Sequence, residues 1–209
     1  MRIGIFGGTF NPIHLGHLRA AEEVKECLGL EKVIFVPSHL PPHKELHSRV
    51  PGSVRLEMTR LAISSNPGFE LCGFEVEQGG SSYSVRTIEH LAGRYQTTPV
   101  FILGRDAFNE IMTWYEAKRL FDLAHFAVMS RPGAHAPDLT TVLGGEAGRF
   151  EQIPEGFVNE RGNRIVFVDV TPLEISSSKV RDLCRKGRSI AYLVPREVEE
   201  YVRSERIYG

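Results

Sequence analysis

The sequence has little of what would staple a chain together or hold it on a charged polymer. Its three cysteines, Cys27, Cys72 and Cys184, lie far apart with no Cys-x-x-Cys pair. An odd, scattered set excludes a disulfide framework and a zinc ribbon, and fits a reducing compartment. Net charge is −1, from 25 basic and 26 acidic residues. A broad positive face for nucleic acid or for a membrane surface is therefore not expected, and any positive potential must be local. No apolar run is long enough to span a bilayer, and no basic segment followed by an apolar stretch opens the chain. The expected location is cytoplasmic. Repeats and low-complexity tracts are also absent.

What remains is an ordinary globular composition: 209 residues, 42% hydrophobic and 24% charged. That length suffices for one domain, residues 1–209, with a substantial core. Short apolar runs predict strands at Arg2–Phe6, Lys32–Val36, Phe69–Phe74, Pro99–Leu103, His125–Met129 and Arg164–Val168. Helical spacing predicts helices at Leu15–Leu28, Val54–Ile63, Ser84–Tyr95, Ser177–Lys186 and Pro195–Ser204, the last with proline in its first turn. The alternation points to an α/β fold, a doubly wound and mainly parallel sheet with helices on both faces. Ligands in such sheets sit beyond the carboxyl ends of the strands, at the switch point. The segment Ala134–Gly162, rich in Gly, Pro and Glu, reads as a surface excursion with room for a short helix.

The first strand runs directly into Gly7-Gly8-Thr9-Phe10-Asn11-Pro12-Ile13-His14-Leu15-Gly16-His17. Two glycines allow a tight turn and close backbone approach to a ligand. His14 and His17 stand one helical turn apart, on one face, and Gly16 between them leaves space for a bulky anion. Backbone N–H groups, a helix N-terminus and two imidazoles converge on one small volume, which suits phosphate. The string is neither a Walker loop nor a Gly-x-Gly-x-x-Gly fingerprint. It also lacks a third ligand at metal spacing, so no metal-ligating residues are assigned.

This string resembles the signature of the HIGH-motif nucleotidyltransferases, here His14-Leu15-Gly16-His17. The resemblance implies a Rossmann-like fold and histidines that contact triphosphate during nucleotidyl transfer. A distant element agrees. Ile175-Ser176-Ser177-Ser178-Lys179-Val180-Arg181 resembles the same superfamily's Ile-Ser-Ser-x-x-x-Arg signature. Its serines can cap a helix or hold phosphate, and Arg181 can grip an anion bidentately.

Further segments narrow the likeness: Pro41-Pro42-His43-Lys44, Ser82-Tyr83-Ser84-Val85-Arg86-Thr87, Leu103-Gly104-Arg105-Asp106, Thr113-Trp114-Tyr115, Ser130-Arg131-Pro132-Gly133 and the tail from Tyr192. Together they resemble the bacterial nicotinate-nucleotide adenylyltransferases over nearly the full length. The resemblance implies ATP and nicotinate mononucleotide as substrates and Mg²⁺ with the ATP. It implies catalytic roles for His14, His17, Lys44 and Arg181. ATP would meet Gly7, Gly8, Thr9, Phe10, Gly104, Asp106, Ser176 and Ser177. Ser84, Thr87, Trp114 and Tyr115 would hold the mononucleotide. Ser84 stands where that family often has Thr, Arg86 where it often has Asp, and Arg105 where a small or polar residue is commoner.

The implied reaction joins two anions, so charge neutralisation and positioning should supply most of the catalysis. The histidines, Lys44, Arg181 and Mg²⁺ are expected to provide the positive field. Two alternatives stay open at this point. One is an adenylyltransferase for nicotinamide mononucleotide or phosphopantetheine; the other is a non-catalytic nucleotide-binding protein of the same fold. The sequence leaves monomer and homo-oligomer equally open.

Overall fold

A computed structural model describes residues 2–39, 50–131, 133 and 138–209. The Pro41-Pro42-His43-Lys44 segment, and with it the role expected of Lys44, lies outside the described residues. Eight strands form one sheet: β1 (Ile3–Gly8), β2 (Lys32–Pro37), β3 (Phe69–Leu71), β4 (Val100–Gly104), β5 (His125–Ser130), β6 (Phe150–Ile153), β7 (Gly156–Asn159) and β8 (Arg164–Asp169). The helices are α1 (Leu15–Leu28), α2 (Gly52–Ile63), α3 (Phe74–Gln78), α4 (Ser84–Tyr95), α5 (Arg105–Asn109), α6 (Ala117–Leu123), α7 (Leu139–Leu143), α8 (Ser177–Arg185) and α9 (Arg196–Ser204).

The strand order is β3-β2-β1-β4-β5-β8-β7-β6. From β3 to β8 every pairing is parallel, as expected, and the two outer pairings are antiparallel. The chain winds outward from β1 in one direction and from β4 in the other. The switch point therefore lies between their carboxyl ends, at Gly7–Gly8 and Gly104.

Both sheet faces are covered, and strand alternation assigns each side chain to a face. Ile3 and Ile5, Ile34 and Val36, Phe101 and Leu103 pack against α4, α5 and α6 through Val85, Ile88, Leu91, Phe108 and Leu120. Phe6, Val33, Phe35, Val100 and Ile102 pack against α1, α2, α8 and α9 through Ala21, Val24, Met58, Val180, Val198 and Val202. Gly4 sits in β1 because a Cβ there would come within 2.9 Å of side-chain carbons of Ile102 and Leu30.

Three expectations need correction. The third strand stops at Leu71, and Phe74 opens a short helix instead. Gly73 breaks the extended run, and Glu75 and Glu77 suit the positive end of a helix. The Ala134–Gly162 excursion includes α7 and a two-strand hairpin that extends the sheet. Pro154 and Glu155 turn that hairpin between Ile153 and Gly156, and a Cβ at Gly156 would meet the Ile165 carbonyl. Pro195 is the N-cap of α9 rather than a residue of its first turn. The short helices α5 and α6 went unread because neither carries enough turns to show a period.

Candidate active site

The loop after β1 is built by its own small residues. A Cβ on Gly8 would press to 2.8 Å from the Phe10 ring. One on Gly7 would meet only Phe101 at 4.0 Å, so Gly7 leaves space on the ligand side. Phe10 takes a positive φ of 45° and is buried. Its ring stands edge-on to Phe6 and to His17, with centroids 5.7 and 5.2 Å away. The side chain expected to meet ATP is thus a wedge in the core beneath the loop.

His14 is the N-cap of α1, and its backbone N–H donates to Nδ1 of His17 at 3.2 Å. That bond places the neutral His17 proton on Nε2, which makes Nε2–H a donor. The two rings stack with centroids 3.6 Å apart and planes 25° from parallel. His14 Nδ1 is buried without a hydrogen-bond partner. A Cβ on Gly16 would touch the His14 ring at 3.1 Å, so Gly16 makes room for the histidine rather than for an anion.

The protonation state also differs from expectation. Burial lowers His14 from 6.5 to about 4. Burial first, then the neighbouring His14, lowers His17 to about 3. Both imidazoles are neutral at pH 7 in the free protein. They act as hydrogen-bond donors, not as standing cations, because a charge in this stacked, desolvated pair costs more than water would charge for it.

The second motif docks on the same loop. Ser176 caps α8 by accepting from Lys179 N–H at 3.2 Å. Ser177 Oγ donates to the Pro12 carbonyl at 2.8 Å. Arg181 Nη1 donates to the Asn11 carbonyl at 2.7 Å, and Nη2 to Ser178 Oγ at 3.1 Å. Arg181 Nε is buried without a partner. The fold therefore carries Arg181 to within three residues of His14, across some 170 positions of chain.

Gly7, Gly8 and Thr9 also form one wall of a cavity of about 430 Å³ at the switch point. Gly104 and Asp106 line it from the end of β4 and the start of α5, and Ser84, Trp114 and Tyr115 also belong to the lining. Trp114 stands edge-on to Phe101 at 6.2 Å. Tyr115 packs on Tyr83 at 4.5 Å, and the Arg86 guanidinium lies 5.3 Å from the Tyr83 ring centre. Arg86, a departure from the expected residue, thus backs an aromatic wall. His14, His17, Ser176, Ser177 and Arg181 are not in the cavity lining; they gather where the loop continues into α1.

Thr87 does not face this cavity. It is buried, and its Oγ1 donates to Glu75 Oε1 at 2.5 Å. Glu75 itself lines the cavity, and burial raises its carboxyl against bonds from Thr87 and Ser82 and the charge of Arg55. Arg55 is buried and donates to the carbonyls of Thr9 at 2.7 Å and His39 at 3.1 Å. It ties the loop after β1 to the segment just after β2. Glu75 and Arg55 had no signal of their own, since each lies in a helix among many charged residues. Among the described residues no group of three His, Cys, Asp or Glu could hold a metal ion. No described helix is long and apolar enough to cross a membrane.

The comparisons with known proteins agree with this geometry. The cytidylyltransferase-like family matches residues 5–183. The "Probable nicotinate-nucleotide adenylyltransferase" of Geotalea daltonii is 46% identical over 213 residues, covering 100% of this chain and 99% of its own. That of Geobacter sulfurreducens is 41% identical over 213 residues, with the same coverage. The solved structure of the Plasmodium falciparum nicotinic acid mononucleotide adenylyltransferase complexed with NaAD superposes with a TM-score of 0.72 at 18% identity. It covers 99% of this chain and 97% of that one, and so speaks to the fold. The chain belongs to the nicotinate-nucleotide adenylyltransferases, within the cytidylyltransferase-like family.

Proposed function

We propose that this protein transfers the adenylyl group of ATP to nicotinate mononucleotide, giving nicotinate adenine dinucleotide and pyrophosphate. The observation that carries the reading is the junction at Gly7–His17. A cavity of aromatic and hydroxyl side chains opens on one side of the loop. The histidine pair and Arg181 stand where the loop enters α1. The mononucleotide can lie against the aromatic side chains of the cavity, and ATP can run from Gly104 and Asp106 in the same lining to the helix start, so that the phosphates meet at the glycines.

The mononucleotide phosphate is already ionised at neutral pH and needs no strong base. The barrier is the approach of two anions, about 4 kcal/mol for one unit pair at 4 Å and an effective dielectric near 20. His17 Nε2–H is a preorganised donor for charge growing on the α-phosphate. Ser176, Ser177 and Arg181 hold the triphosphate, with Arg181 a fixed cation beside the loop. Gly104 and Asp106 contact the nucleoside of ATP beyond β4, and Lys44 adds a second cation. Trp114 and Tyr115 pack on the pyridine ring, and Ser84 offers a hydroxyl to its carboxylate. The described residues do not make a resident metal site. Mg²⁺ bound with the triphosphate would add to this positive field.

All eight strands share one sheet, which supports residues 1–209 acting as one nucleotidyltransferase domain. The cysteine pattern and family support a cytoplasmic location. A substrate panel with ATP tests the reading: nicotinate mononucleotide, nicotinamide mononucleotide and phosphopantetheine, followed by pyrophosphate release. Turnover with the acid nucleotide well above the other two is expected. Equal or greater turnover with either alternative would overturn it, and nucleotide binding without pyrophosphate release would make the protein a sensor.

A further inference from the structure

One wall of the cavity carries a polar group that the fold leaves unsatisfied. Ser38 lies at the carboxyl end of β2, is 8% exposed, and its Oγ has no hydrogen-bond partner among the described residues. Its backbone N–H donates to the Gly8 carbonyl at 2.9 Å, which pins it beside the phosphate loop. Ser38 belongs to the cavity lining. A buried hydroxyl with no protein partner costs stability unless a ligand or water completes it.

The neighbouring groups narrow the ligand. His39 N–H donates to Ser82 Oγ at 2.8 Å, and Ser82 in turn bonds the Glu75 carboxyl. Glu75 is braced from behind by Thr87, and it lines the same cavity as Ser38 and Ser82. One connected wall thus offers a free hydroxyl and a fixed carboxyl. The Glu75 carboxyl already accepts from Thr87 and Ser82, so it offers acceptors rather than the donors that a phosphate or a pyridine carboxylate needs. It accepts readily from sugar hydroxyls, the interaction by which acidic side chains hold ribose in dinucleotide folds. Ser38 is bonded to Gly8, where phosphate belongs, and Ser82 adjoins Tyr83, which lines the same cavity as Trp114, where a flat ring belongs. In a mononucleotide the group between phosphate and ring is the pentose.

We propose that Ser38 and Glu75 bind the vicinal hydroxyls of the mononucleotide ribose and make the enzyme selective for a ribonucleotide acceptor. This inference rests on the adenylyl-transfer reading and extends it to the sugar. Thr87, buried behind Glu75, is a positioning residue that keeps the carboxyl aimed at the cavity.

The test compares nicotinate mononucleotide with its 2′,3′-dideoxyribose counterpart as acceptors, in the parent protein, Ser38→Ala, Ser38→Thr and Glu75→Gln. The parent should favour the ribonucleotide by roughly 10-fold or more in kcat/KM, the scale of a site that hydrogen-bonds a substrate hydroxyl. Ser38→Ala and Glu75→Gln should raise KM for the ribonucleotide alone and narrow that preference. Ser38→Thr, which keeps the hydroxyl, should retain it. KM values for ATP and for 2′-deoxy-ATP should not move. Equal loss with both acceptors would mean a merely structural role, and a shift confined to 2′-deoxy-ATP would assign the wall to the other sugar; either result overturns the proposal. A parent that turns over both acceptors equally well overturns it while leaving adenylyl transfer intact. A parent that turns over neither removes the reaction reading as well.

Discussion

His17 can serve phosphate without being charged. Its Nδ1 is occupied by the His14 backbone N–H, so Nε2 keeps the proton and donates it as a hydrogen bond. Removing one such transition-state donor typically costs about 100-fold in rate. His17→Ala should therefore lower kcat by about that factor with little change in KM for either substrate, as steady-state assays would read. A kcat near the parent value would take His17 out of that role. The same burial makes the pair acid-sensitive. Unfolded histidines titrate near 6.5, whereas folded His14 and His17 titrate at about 4 and about 3. Between these values the unfolded chain binds protons that the folded chain does not, so stability rises with pH and is lost on acidification below 6.5. The loss is roughly 2 kcal/mol per histidine at pH 5. Denaturant melts at pH 7 and 5 should show it, and His17→Gln should flatten the slope; an unchanged slope would show that His17 is not buried neutral. Trp114 belongs to the cavity lining. Trp114→Ala should raise KM for the mononucleotide about 10-fold or more and spare that for ATP, and an unmoved mononucleotide KM would end the stacking assignment.

At the scale of elements, the helix proposed to hold the triphosphate, α8, is held by side chain to backbone bonds as well as by apolar packing. α8 is moored to the loop through Ser177 and Arg181, each donating to a carbonyl of the Asn11–Pro12 pair. The hairpin β6–β7 has a different task. Asn159 and Asn163, both buried, donate to the Phe121 carbonyl at the end of α6, at 2.8 and 3.0 Å. Asn159 Oδ1 also accepts from the N–H groups of Arg161 and Asn163. Asn159→Ala removes these bonds in a dry setting and should cost about 1–3 kcal/mol. The measurement is a fall in Tm with KM values for both substrates unchanged, since neither asparagine lines the cavity. A change in KM without loss of stability would contradict this division of labour.

Over the whole molecule, the ends of the chain meet at the site. Tyr208 OH donates to Asn11 Oδ1 at 2.6 Å, across 197 positions, and burial raises the Tyr208 hydroxyl well above its usual range. Asn11 is also where Arg181 docks. The last turn of the chain therefore braces the loop that the first strand delivers. Tyr208→Phe keeps the ring and removes the bond. It should cost about 1 kcal/mol of stability and raise KM for ATP several-fold while leaving KM for the mononucleotide unchanged. Isothermal titration with a non-hydrolysable ATP analogue checks it, and unaltered affinity would show that the loop holds its shape without the tail.

Much of this was legible from residue order because it is local. The extents of α1 and α4, the six parallel strands and the glycine turn after β1 follow from apolar spacing and from residues whose backbone freedom is distinctive. The motif residues His14, His17 and Arg181 announced phosphate by type and spacing. Tertiary structure alone decided what depends on distance through space. It made the histidines neutral by stacking and drying them, and it turned Phe10 and Thr87 inward. It gave Gly16 to the His14 ring, brought Ser38 and Glu75 to the cavity wall, and set Arg55 on the carbonyl of Thr9. Burial and pairing are properties of neighbours, and those neighbours come from elements far apart along the chain.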